Sequence, residues 1–164
     1  TDSLVVLHPG SGGSSRNWHW NNFGLLGKQI VELPNTKVLI SGGAKEKELV
    51  HNVAQIVGEQ AIVLNETLSL KEFIALLSLG KMFISNSTGP LHLAAAVETF
   101  VVAFFPQIQH LSSIRWGAYT ENKIELSPKD KPLDCDKCNS ANECECMNSI
   151  SVEEVFKAIK SKLQ

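Results

Sequence analysis

No apolar run in this sequence approaches the roughly 20 residues that a membrane-spanning helix needs, and the longest, Phe100 to Phe105, suits a buried strand. Charge of one sign is missing too. Lys and Arg number 15 against 17 Asp and Glu, giving a net charge of −2 and a pI near 6.2. That balance excludes a nucleic-acid or anionic-membrane partner held by bulk charge. Residues 1–13, "TDSLVVLHPGSGG", lack the basic start and long apolar stretch of a signal peptide and begin almost directly on a strand, as either a whole small protein or a domain cut from a longer one would. All four cysteines fall between 135 and 146, which excludes a disulfide scaffold spread through the chain. No GxGxxG follows the first strand, and GxxxxGK[ST] occurs nowhere. The standard dinucleotide fingerprint and the P-loop are therefore both excluded.

What remains is an ordinary globular balance, 43% hydrophobic and 20% charged over 164 residues, enough for one domain with a sizeable core. Apolar, β-branched runs at 4–7, 37–40, 61–64, 81–85 and 100–105 read as strands, with a sixth at 123–126. Between them, apolar residues recur at helical spacing over 18–33, 44–57 and up to about 79, and a short helix is expected over 90–97. Ser69 with Glu72, and Ser151 with Glu154, read as capping boxes, the second opening a final helix over 152–163. Strand alternating with helix predicts an α/β fold, a Rossmann-like doubly wound parallel sheet of about six strands in the order 3-2-1-4-5-6. Such sheets bind ligands at the carboxyl ends of the strands, where the order reverses, here between strands 1 and 4.

The two loops at that point are the richest in Gly and Ser: "HPGSGGSSRN" after strand 1 and "NSTG" after strand 4. Pro90 is expected at the first helical position, leaving the amides of Thr88, Gly89, Leu91 and His92 to face an anion at the helix start. Ser87 and Thr88 add hydroxyl donors, Gly89 permits close approach, and Gly10, Gly12 and Gly13 can form a second anion-cradling loop. Arg16 is the expected fixed positive charge nearby. The competing reading is a plain cap, since Ser, Thr and Gly commonly precede helices. The phosphate reading is the one the pairing of the two loops favours.

At these residues the sequence resembles glycosyltransferase family 9, the heptosyltransferases of lipopolysaccharide core assembly. The pieces that carry the resemblance are "HPGSGGSSRNWHWNNF", "VLISGGAKEKELV", "FISNSTGPLHLAAAV", "RWGAY" and "CDKC…CECMNSISVEEVFKAI", in the family's order along nearly the whole chain. The resemblance implies that residues 1–164 are the C-terminal, donor-binding half of a two-domain GT-B enzyme, the acceptor domain and catalytic carboxylate being absent from this chain. It implies ADP-heptose as donor and lipopolysaccharide core or a related glycan as acceptor. Arg16 would contact the donor phosphates, Glu46 the ribose hydroxyls, Ser87, Thr88 and Gly89 the diphosphate, while His92 would orient the loop. Gly12 and Gly13 complete the expected donor site. Two departures concern the sugar: Ser87 stands where some members have Asp, and "FFPQIQHLSSIRWG" stands where many have Phe-Gly-Pro-Thr after strand 5. The alternatives are a transferase using a UDP- or GDP-sugar, a non-catalytic nucleotide-sugar-binding module, or a plain α/β interaction domain.

Charge grows on the leaving diphosphate in glycosyl transfer, and helix-start amides with Arg16 suit it, so no metal cofactor is required. This chain offers no convincing general base, so it is expected to bind donor and transfer nothing alone. The expected setting is cytoplasmic, and the resemblance adds peripheral action at the inner membrane as an option. Cys135, Cys138, Cys144 and Cys146 are a candidate structural zinc set. The one-residue gap between Cys144 and Cys146 is tight for one ion, and reduced thiols packing a loop are the competing state. His8 either faces the ligand or fixes a loop. His19, His51 and His110 have no partner spacing. Trp18 and Trp20 are expected to pack the first helix, and Trp116 to pack rather than stack on a base.

Overall fold

The computed structural model describes residues 2–64, 68–129 and 144–164. Its six strands are β1 (Ser3–His8), β2 (Thr36–Ile40), β3 (Ala61–Val63), β4 (Met82–Asn86), β5 (Phe100–Phe104) and β6 (Lys123–Leu126). They form one all-parallel sheet in the order β3-β2-β1-β4-β5-β6, the order expected. Val5 pairs with Val38 on one side and Met82 on the other, so β1 sits at the centre with β4 beside it.

Side chains alternate across a strand, and the core splits accordingly. Val5, Leu7, Val38, Ile40, Ile84 and Phe104 point to one face. There they are covered by α1 (Trp20–Val31), α2 (Lys47–Val57) and the final helix α7 (Val152–Leu163). Val6, Leu39, Phe83, Val101 and Ala103 point to the other, under α3 (Leu70–Leu79) and α4 (Gly89–Ala96). Two short helices, α5 (Ser113–Trp116) and α6 (Glu145–Asn148), and a 3-10 turn at Gln109–Leu111 complete the described elements. Gly24 and Gly27 bring α1 close to α2: a Cβ at either would lie 2.7 Å from Ile56 or Val57. Trp18 is fully buried, stacked on Phe104 at 4.3 Å, with its indole N–H donating to the Ile150 carbonyl at 2.8 Å. It thereby ties the start of α1 to the sheet and to the turn before α7, as expected of it.

Several boundaries differ for physical reasons. The capping box of Ser69 and Glu72 is complete. In the second, Ser151 accepts the Glu154 amide, but the Glu154 carboxylate ion-pairs with Lys129 at 3.0 Å. Helix α2 begins at Lys47 rather than Ala44, and buries Val50, Val53 and Val57. Residues 44–46 form a turn because Glu46 spends its carboxylate on loop amides. Pro90 is the second residue of α4, not the first, since Gly89 already belongs to the helix. Helix α4 ends in a Schellman arrangement. The Glu98 amide donates to the Ala95 carbonyl and the Thr99 amide to the Ala94 carbonyl. Glu98 occupies the left-handed position that usually takes glycine, at φ 62°.

Candidate functional site

The loops after β1 and β4 meet at the carboxyl edge of the sheet, and side chains stitch them together. Asn86, fully buried at the end of β4, accepts the Trp18 amide at 2.8 Å and donates to the Pro9 carbonyl at 2.7 Å. One side chain thus holds both ends of the 9–18 loop. Ser14 adds a hydroxyl bond to the Ser87 carbonyl at 3.2 Å. In the sequence Asn86 is one residue of the "NSTG" loop, with no local signal of this role.

Two cavities open on either side of this seam. The larger, of about 760 Å³, reaches from Gly12 and Glu46 to an apolar wall that includes Leu64 and Phe73. The smaller, of about 430 Å³, is bounded by Ser87, Gly89 and His92 on one side and His110, Arg115 and Trp116 on the other. Thr88 lines both. It is the N-cap of α4, and its side chain makes no capping bond. The space a Cβ would fill at Gly89 is empty, so the backbone there is open to a ligand. Of the amides expected to be available, that of Leu91 is turned inward to the Thr88 carbonyl at 3.2 Å.

Glu46 bridges the first two loops. One carboxylate oxygen accepts the Gly12 amide at 3.1 Å and the other the Gly43 amide at 2.7 Å. Gly10 makes room for it: a Cβ there would sit 2.0 Å from Glu46 Oε1. Gly12 and Gly13 take left-handed φ values of 58° and 83°, which bends the loop over the cavity. Each carboxylate oxygen keeps lone-pair capacity for a further hydroxyl. Glu46 is the only carboxylate among the described residues that line either cavity.

His8 is the last residue of β1. It lines the larger cavity and hydrogen-bonds the Ser41 hydroxyl through Nδ1 at 3.0 Å. Burial pushes its pKa below the usual 6.5, opposed by the nearby Glu46 charge, so the ring is neutral near pH 7.

Gly12, Glu46, Ser87, Thr88, Gly89 and His92 are therefore brought to one cleft. Gly13 lies in the loop above it, and Arg16 does not line either cavity. Arg115 lines the smaller cavity, and Lys45 and Lys47 line the larger. His92 is exposed and lines the smaller cavity. Trp116 is not packed away but 46% exposed. Of the four cysteines, Cys135 and Cys138 lie outside the described residues. Cys144 is buried and Cys146 half-buried against the core. Among the described residues no three His, Cys, Asp or Glu gather as a metal site, and no helix is long and apolar enough to cross a membrane.

Known proteins resemble the chain in both fold and sequence. A glycosyltransferase family 9 structure from Veillonella parvula superposes with a TM-score of 0.81 at 23% identity, covering 99% of this chain and 46% of that one. The E. coli ADP-heptose lipopolysaccharide heptosyltransferase II superposes with 0.76 at 17% identity over the same shares. Lipooligosaccharide heptosyltransferase 2 of Campylobacter jejuni is 26% identical over 167 residues, 98% of this chain and 51% of that protein. The chain therefore spans about half the length of these relatives. The family model for glycosyltransferase family 9 (heptosyltransferase) matches residues 1–145, and the chain belongs to that family.

Proposed function

We propose that this chain is the donor-binding domain of a glycosyltransferase that takes a nucleoside-diphosphate sugar, ADP-heptose, and passes the sugar to a lipopolysaccharide core or related glycan acceptor. The observation that carries this reading is that Thr88, at a helix N-terminus with an uncommitted hydroxyl, lines both cavities. A diphosphate seated on residues 87–89 would have its nucleoside on one side and its sugar on the other. The larger cavity suits the nucleoside. Glu46 offers acceptors for two ribose hydroxyls, and Leu64 and Phe73 an apolar wall for the base. The helix-start amides, with Arg115 and Lys45 on the two sides, would stabilise the charge that grows on the leaving diphosphate without a divalent metal. Glu46, the only carboxylate among the described lining residues, is held by two amides and is poorly free to act as a base. The base and the acceptor site would then come from a second domain of the full-length protein. A lipid-linked acceptor would put the enzyme in the cytoplasm at the inner membrane. The bound nucleotide named for one E. coli heptosyltransferase structure of this fold is ADP, which favours ADP over UDP or GDP.

Calorimetric titration of the chain with ADP, UDP and GDP tests the reading. ADP is expected to bind most tightly, and Gly89→Val, which fills the open space on the loop, to weaken it at least about tenfold. Preference for UDP or GDP would keep the fold and change the donor. No binding to well-folded protein would overturn the nucleotide reading.

A further inference from the structure

The nucleotide reading accounts for the larger cavity and the 87–89 loop. It gives the outer wall of the smaller cavity no role beyond the charge of Arg115. That wall is residues 109–117, between β5 and β6. A tryptophan left 46% exposed forgoes much of the stabilisation its rings would gain by burial. Yet Trp116 is not loose. Its indole N–H donates to the His110 carbonyl at 3.0 Å, and its amide to the Ser112 carbonyl at 3.0 Å. The Ser112 hydroxyl in turn donates to the Gln109 carbonyl at 2.9 Å.

The next residue is seated against β6. A Cβ at Gly117 would lie 2.4 Å from the Ser113 carbonyl oxygen and 2.6 Å from Glu125 Oε1. That same Glu125 oxygen accepts the Ala118 amide at 3.0 Å and meets Lys123 at 3.3 Å. The ring is thus fixed at its edge and through its backbone, beside open space. The Arg115 guanidinium stands 5.8 Å from the ring centre, and His92 and His110 line the same cavity. A rigid, uncovered aromatic ring among hydrogen-bonding side chains is the chemistry that recognises a pyranose. The C–H groups of one sugar face pack on the aromatic, and the hydroxyls at its rim find donors and acceptors.

We propose that the transferred sugar, a pyranose carried on the nucleoside diphosphate, packs against Trp116 in the smaller cavity. Arg115, His92 and His110 read its hydroxyls, so residues 109–117 determine which sugar is accepted. This rests on the nucleotide reading above. It assigns Trp116 to the sugar and not the base, because the ribose acceptor Glu46 and the apolar wall of Leu64 and Phe73 belong to the other cavity.

The test compares ADP with ADP-heptose on the wild-type chain, Trp116→Ala and Trp116→Phe, with circular dichroism to confirm folding. Trp116→Ala is expected to weaken ADP-heptose about tenfold while ADP changes by less than about twofold, and Trp116→Phe to recover most of the loss. Equal weakening of both ligands would put the base on Trp116 and overturn the proposal. So would an unchanged affinity for ADP-heptose. Wild-type protein that binds ADP but shows no such Trp116 effect sinks only the sugar assignment; protein that binds no ADP sinks the nucleotide reading and this with it.

Discussion

The two cavities are built in different ways. The larger is held by side chains that reach across the fold: Asn86 from β4 to the loop after β1, Glu46 between two loops, His8 from β1 to Ser41 on the end of β2. The smaller owes its outer wall to one short stretch, 109–118, tied mainly to itself and to Glu125 nearby. Groups that join distant segments contribute to stability and to ligand placement together. A wall tied locally can change with little consequence for the fold.

The largest effect expected on this contrast is that of Asn86→Ala. It leaves the buried Trp18 amide and Pro9 carbonyl without partners, at a cost of about 3 kcal/mol in urea unfolding, with loss of ADP binding. Trp116→Ala, by contrast, should cost less than about 1 kcal/mol of stability, since the residue is half exposed. Comparable losses in the two variants would erase the distinction between the cavities.

Next comes the Glu46 bridge. Glu46→Ala should weaken ADP about tenfold, near 1.4 kcal/mol. Gly10→Ala should do the same by displacing the carboxylate from the space its Cβ would take. The double variant is expected to match either single one, because both act through one group. Additive losses would mean that Gly10 has a separate role.

The third effect reads the His8 link through pH. Burial lowers the pKa of folded His8 below 6.5, so between 6.5 and the folded value the unfolded chain binds the extra proton. Unfolding free energy should therefore fall as pH drops below 6.5, by at most about 1.4 kcal/mol per pH unit, with a shallower slope in His8→Gln. Identical slopes would remove His8 from the account. The smallest effect is a control outside both cavities. Glu98→Gly relieves a left-handed residue at the end of α4 and should add about 0.5–1 kcal/mol without altering ADP affinity.

The sheet and its order were legible because β-branched runs alternate with helical spacing, and because the two Gly- and Ser-rich loops mark the reversal. Ser69 and Glu72 announced a cap that depends only on neighbours three residues apart. Where a side chain is claimed by a distant partner, local pattern failed. Glu154 goes to Lys129 and not to its own helix start, and Glu46 delays α2 by serving two loops. In the site, the 87–89 loop was readable from residue types, but the clamp of Asn86 was not, since Trp18 and Pro9 lie 68 and 77 positions away. Arg16 looked like the natural phosphate partner from its loop alone. Which cations line the cleft depends on where β5–β6 and the start of α2 bring Arg115, Lys45 and Lys47.

The meeting of the two cavities at Thr88 has an evolutionary consequence. Among the described residues it is the only one that both share. The outer walls, with Arg115 and Trp116 on one side and Glu46 and Phe73 on the other, come from separate stretches of chain, so mutations can drift on one side while selection holds the other fixed. With the donor seated as proposed, a lineage could thereby exchange one activated sugar for another by rewriting 109–117, keeping its nucleotide handle and its folding core intact.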